Sequence, residues 1–148
     1  RAQPDLKYYI VGARPTAAVQ ALGSIPGIVV TGTVDEVAPY YASALAVVAP
    51  VRVASGTRLK ILEALAAGVP VVSTVLGAEG LDVVADRDLL TADTPEDTVE
   101  AIRRLTVDQQ LWLSLSRNGR ESVRQYDWNF LGKRLARFYQ ARREATRA

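Results

Sequence analysis

Arg58, Lys60 and Glu63 lie close together in one stretch, RVASGTRLKILEALAAGVPVVST at residues 52 to 74. Ser55-Gly56-Thr57 leads into Arg58, Leu59 and Lys60, which predicts a glycine-containing turn that runs into the amino end of a helix. Free N–H groups and a partial positive charge at such an end favour an anion by about 0.3–1 kcal/mol. Arg58 and Lys60 add full charges. One charge pair at about 4 Å and an effective dielectric of about 20 is worth on the order of 4 kcal/mol before desolvation, so the side chains outweigh the dipole in drawing a phosphate. Glu63 follows Lys60 by three residues, about 4.5 Å along a helix axis. A carboxylate repels a phosphate and suits vicinal hydroxyls, such as those of a ribose. The same spacing also admits an exposed Lys60–Glu63 ion pair, worth at most about a few tenths of a kcal/mol, and that alternative stays open.

At 100° per residue, Leu59, Ile61, Leu62, Leu65 and Ala66 fall on one arc, expected to face a sheet. Lys60, Glu63, Ala64 and Ala67 fall on the other. Alanines beside two charges suggest that something packs close to that face. Composition limits the remaining chemistry. The 148 residues include no cysteine and no histidine. That excludes disulfides, thiolate metal sites, cysteine nucleophiles and the usual neutral-pH base. The net charge of +2 is too weak for a nucleic-acid footprint. No apolar run has the length of a membrane span, and no signal peptide is recognisable. No metal or other cofactor is expected.

The elements that must position these residues alternate. Strands are expected at 6–11, 27–30, 45–49 and 69–73, with edge pieces at 83–84 and 89–90. Helices are expected at 15–22, with Pro15 in the first turn, at 35–44, with Pro39 within the first turn or kinking the helix, and at 58–67, closed by Gly68. From Pro95 the chain turns wholly helical, near 95–105, 108–124 and 128–146. Thr94-Pro95-Glu96-Asp97 is a cap, a first-position proline and first-turn acids. This pattern predicts an α/β fold, a doubly wound parallel sheet with a helical C-terminal segment, in one domain. Ligands of such sheets bind beyond the carboxyl ends of the strands, where the loops at 12–15, 31–34 and 50–57 are expected to gather.

The residues resemble a family. GTRLKILEALAAGVPVVST with Gly77 and Glu79-Gly80-Leu81, YYIVG at 8–12, VVTGTVDEV at 29–37, YYASALAVVAP at 40–50 and YDW at 126–128 are similar to the donor-binding half of a GT-B glycosyltransferase of family four, the group 1 transferases. The resemblance implies a Rossmann-like C-terminal half that binds a nucleotide-diphosphate sugar. Glu63 matches the second glutamate of the family's Glu-x7-Glu motif, on the donor ribose. Gly56, Thr57, Arg58, Leu59 and Lys60 match the turn and helix start at the diphosphate, and Gly32 and Val34 the base-binding region. Ser55 stands where the first motif glutamate, near the transferred sugar, is expected. The resemblance also implies an acceptor-binding N-terminal domain and a first strand–helix unit that this sequence lacks. A chain without them is expected to bind donor without transferring sugar.

A second reading keeps the fold and drops the catalysis: a phosphate- or nucleotide-binding, or protein-interaction, module. A receiver-like domain is disfavoured, because no acidic cluster follows the first strand. The last helix sets Leu131, Leu135 and Phe138 among Arg134, Arg137, Arg142 and Arg143. It reads as an amphipathic surface helix. In the family this helix crosses back to the N-terminal domain, and a basic helix can also touch an anionic membrane. The expected location is cytoplasmic, with membrane association through that helix as an option. Tyr126 and Trp128 are expected to fill core, and Asp82, Asp86, Asp88 and Asp93 to be solvated turn acids.

Overall fold

The computed structural model describes residues 6–53 and 56–145, and the structural statements below concern those residues. The chain divides into two compact units, Arg1–Tyr40 and Tyr41–Ala148.

In the first unit, β1 (Tyr8–Val11) pairs in parallel with β2 (Ile28–Gly32), Tyr8 opposite Ile28. Between them lie α1 (Ala17–Ala21) and a 3-10 turn, Leu22–Ser24. Thr16 caps α1 by accepting from the Val19 N–H at 3.3 Å. Pro15 therefore precedes the cap and is not in the first turn. The β2 strand runs two residues beyond the expected 27–30, to Gly32. No described side chain of this unit is fully buried. That suits about 40 residues, too few to enclose a core of their own.

The boundary between the units falls inside α2 (Ala38–Ser43). It starts later than expected, with Pro39 in its first turn, where a missing N–H costs nothing. In the second unit, β3 (Val47–Ala49), β4 (Val71–Ser73) and β5 (Leu90–Thr91) form a parallel sheet with β4 in the centre. A lone parallel bridge, Ala85 to Leu89, precedes β5. Pro70 enters β4 where no donor is needed, and its carbonyl accepts from the Val47 N–H at 2.9 Å.

Side chains alternate across β4 because the strand repeat is two residues. Val71 joins Ile61, Ala64, Leu65, Leu89 and Val123 on one face of the sheet. Val72 joins Leu90, Ala92, Ala101, Leu105 and Leu115 on the other. Helices thus cover both faces: α3 (Leu59–Ala67) on the first and α5 (Pro95–Val107) on the second, while α6 (Gln109–Ser122) packs against both helices and gives Leu115 to the second cluster. Each fully buried Ile or Leu in these clusters contributes about 1.5–3 kcal/mol. The α/β class and the parallel strands are as expected, but the described strands pair as two sheets rather than one.

Local signals are realised at several ends. Gly68 closes α3 in the left-handed region at φ 77°. Thr94 accepts from the Asp97 N–H at 3.1 Å, with Pro95 in the first turn of α5. A single helical turn that the sequence did not suggest, α4 (Val75–Ala78), follows β4. Thr74 caps it by accepting from the Gly77 N–H at 3.0 Å.

Three further expectations fail. Trp128 opens α7 (Trp128–Ala145) 86% exposed and fills no core, whereas Tyr126 packs against the cluster around Ile61. Asp88 is no solvated turn acid. It is fully buried, accepting from the Val84 N–H at 2.8 Å and from Arg87 at 2.9 Å. Asp93 is exposed but engaged, accepting from the Val75 N–H at 2.9 Å. The third failure concerns α3. Ile61, Ala64 and Leu65 are its buried residues, while Leu59 is 59% exposed and Ala66 is also exposed. The arc that meets the sheet is centred between Ile61 and Ala64, so Ala64 is small because it packs in the core. Its size says nothing about a ligand.

Candidate functional site

The α3 helix starts just past the carboxyl end of β3, the end of a parallel strand where ligands of such sheets bind. Its residues from Leu59 to Ala67 contain no glycine or proline and are mostly strong helix formers. Gly56 precedes it at φ 79°, a conformation that favours glycine, with open space where a Cβ would be. Arg58 is the N-cap residue but supplies no side-chain cap.

The amino end is less open than the sequence suggests. The Leu59 N–H turns back to the Thr57 carbonyl at 2.9 Å, and the Ile61 N–H to the Arg58 carbonyl at 3.0 Å. These bonds satisfy donors that were expected to point outward. The helix dipole and the nearby cations remain. Arg58 is half-buried, and its guanidinium donates from Nη1 to the Gly56 carbonyl and from Nη2 to the Leu76 carbonyl at 3.4 Å. Its buried Nε has no hydrogen-bond partner. Arg58 therefore ties the glycine turn to α4 and keeps further donors unused. Lys60 is exposed, beside exposed Leu59.

Glu63 is exposed one turn further on. No ion pair joins it to Lys60 among the described residues. Its Oε2 instead accepts from the Tyr41 hydroxyl at 3.3 Å. Burial is the main cause that raises the Tyr41 pKa above its ordinary 10.0, followed by the charge of Glu63 and the bond to it. Tyr41 is half-buried and packs against the core cluster of Ile61, Ala64, Leu65, Val71, Leu89 and Val123. Sequence reasoning missed this residue. It lies 22 positions from Glu63, and no local spacing links the two.

The second unit thus brings Gly56, Thr57, Arg58, Leu59, Lys60 and Glu63 together on one turn and one helix. Ser55 lies outside the described residues. Gly32 and Val34 belong to the first unit. Gly32 ends β2 at φ 69°, its carbonyl accepting from the Gly12 N–H at 3.3 Å, and Val34 is half-buried. An open depression of about 490 Å³ in that unit is lined by Pro15, Gln20, Gly23 and the strand Ile28–Gly32. A second, of about 410 Å³, lies on α6 around Arg117, Arg120 and Arg124. Neither is lined by α3. Among the described residues no group of three or more acidic side chains could hold a metal ion, and no helix is long and apolar enough to cross a membrane.

Three solved structures resemble this chain. Sucrose-phosphate synthase from Thermosynechococcus elongatus matches with a TM-score of 0.73 at 23% identity, over 93% of this chain and 38% of its own. TarM matches at 0.69 and 17% identity, over 88% of this chain and 28% of its own. The C-terminal domain of the group 1 glycosyl transferase LpcC from Francisella tularensis matches at 0.57 and 24% identity, over 72% of this chain and 56% of its own. At these identities the likeness is one of fold, that of GT-B glycosyltransferases. The chain spans from roughly a quarter to just over half the length of each. No curated protein matches the sequence. The family model for glycosyl transferases group 1 matches residues 1–108, and with most of its length so matched the chain belongs to that family.

Proposed function

We propose that this chain is the donor-binding part of a glycosyltransferase and holds a nucleotide-diphosphate sugar at the amino end of α3. In this reading the diphosphate lies by Gly56, Thr57 and Leu59, with Arg58 and Lys60 offsetting its charge and no metal required. Glu63 accepts from the ribose hydroxyls. The observation that carries the reading is the state of Glu63. The carboxylate is exposed one turn past a helix start that has no side-chain cap, and among the described residues no ion pair joins it to Arg58 or Lys60. A carboxylate kept free of cations suits hydroxyls. Membership of the group 1 transferases supplies the reaction class. The resembling solved structures are longer than this chain. We assign the acceptor to a further domain, which would also cover part of α7.

The test is to titrate the protein with uridine, guanosine and adenosine diphosphates in chelating buffer while following backbone amide shifts. Shifts concentrated at residues 56–63 with one of the three are expected, and Glu63→Ala should weaken that binding about tenfold, the loss of hydrogen bonds to a charged acceptor. Silence from all three at millimolar concentration would sink the reading. Binding of all three alike would favour the non-catalytic module.

A further inference from the structure

We propose that Tyr41 is a positioning residue for Glu63, holding the carboxylate so that its remaining lone pairs meet two vicinal hydroxyls of a ribose. The proposal rests on the reading of Glu63 as the ribose acceptor and extends it to a residue outside the helix. Glutamate on an exposed helix face samples many rotamers, and ordering it on binding costs affinity. Tyr41 removes part of that cost in advance. Its partly buried side chain packs against the core cluster that contains Ile61, Ala64 and Leu65, and that packing restrains where the hydroxyl can lie. From there it donates to Glu63 Oε2 at 3.3 Å.

The chemistry of the donor matters. An ionised carboxylate offers about four lone-pair sites, and a single phenol O–H uses one. About three are left, enough for two neighbouring hydroxyls. Lysine or arginine in place of Tyr41 would neutralise the carboxylate and compete with the ligand for it. A phenol bonds it without cancelling its charge. A phenol of ordinary pKa, about 10, is already a protonated donor at neutral pH, and burial first, then Glu63, shifts Tyr41 further upward.

The experiment measures by calorimetry the affinity for whichever of the three nucleoside diphosphates binds best, and for its 2′-deoxy counterpart. The protein is compared with Tyr41→Phe, Glu63→Gln and the double variant. Tyr41→Phe keeps the ring in the core, and circular dichroism checks that each variant is folded. Tyr41→Phe should weaken the ribonucleotide about three- to tenfold, the range for one hydrogen bond, and leave the deoxy form within about twofold. The effect should disappear in the Glu63→Gln background. A ribo-to-deoxy ratio unmoved by Tyr41→Phe but collapsed by Glu63→Gln overturns the proposal and leaves the role of Glu63 standing. Equal weakening of both nucleotides shows a merely structural tyrosine and overturns it too. A ratio insensitive to Glu63→Gln, or no binding by the unchanged protein, removes the ribose reading and this proposal with it.

Discussion

Tyr41 carries a prediction of its own, because its ionisation limits the pair it forms with Glu63. Its folded pKa lies above the ordinary 10.0, so the folded state holds the phenolic proton more tightly than the unfolded state does. The stability from this difference is complete below about pH 10 and is lost as pH rises through the folded value. Urea midpoints should therefore fall as pH rises above about 10. Tyr41→Phe should show a smaller fall than the unchanged protein. Some decline should persist, because burial also raises the Tyr8 pKa. A fall identical in both proteins would mean that Tyr41 contributes nothing to it. Arg58 shows the limit of reading one residue from sequence. Its charge and its place at the helix start were legible, but its bond to Leu76, 18 residues away, was not.

At Gly119, α6 comes close to α3. A Cβ there would lie 2.6 Å from Leu65 Cδ2 and 3.0 Å from the Asp88 carbonyl oxygen. Leu65 can turn, but the backbone carbonyl yields only if α6 moves off the sheet. Gly119→Ala should cost about 1–3 kcal/mol, measured by urea unfolding, the range for overpacking a core. A loss under about 0.5 kcal/mol would show that the contact relaxes freely. Element existence was read well where caps and periodicity agree, as at Thr94, Gly68 and β4. It was read less well where one turn sufficed, as at α4, because four residues carry too little periodicity to register. The facing of α3 was misread at Leu59, Ala64 and Ala66. Small and apolar residues nearly all round that helix leave its wheel with no sharp polar edge.

On the scale of the whole molecule, α7 stands apart. Trp128, Leu135, Phe138 and Tyr139 are all exposed, at 86%, 56%, 60% and 60%. Among the described side chains, none of α7 belongs to either core cluster. Replacing Leu135 and Phe138 together by serine should change the stability of this chain by no more than about 0.5 kcal/mol, as for surface positions. A loss above about 2 kcal/mol would mean that the stripe is packed within the chain. The amphipathic pattern of α7 was legible, since it depends only on helical spacing. Trp128 was not, because size and apolarity favour burial wherever the fold offers a partner, and the described residues offer it none.

The sequence by itself determined the α/β alternation, the helix starts and stops at Thr94 and Gly68, and the motif that places the chain among the group 1 transferases. These follow from hydrophobic periodicity, capping chemistry and the backbone freedom of glycine, which act over a few neighbouring residues. Only the tertiary structure decided that Ala64 belongs to the core, that Asp88 is buried and that Arg58 grips two carbonyls. It alone paired Glu63 with Tyr41 in place of Lys60. Those outcomes depend on how segments far apart in the chain are packed against the same strands, and no local spacing encodes that.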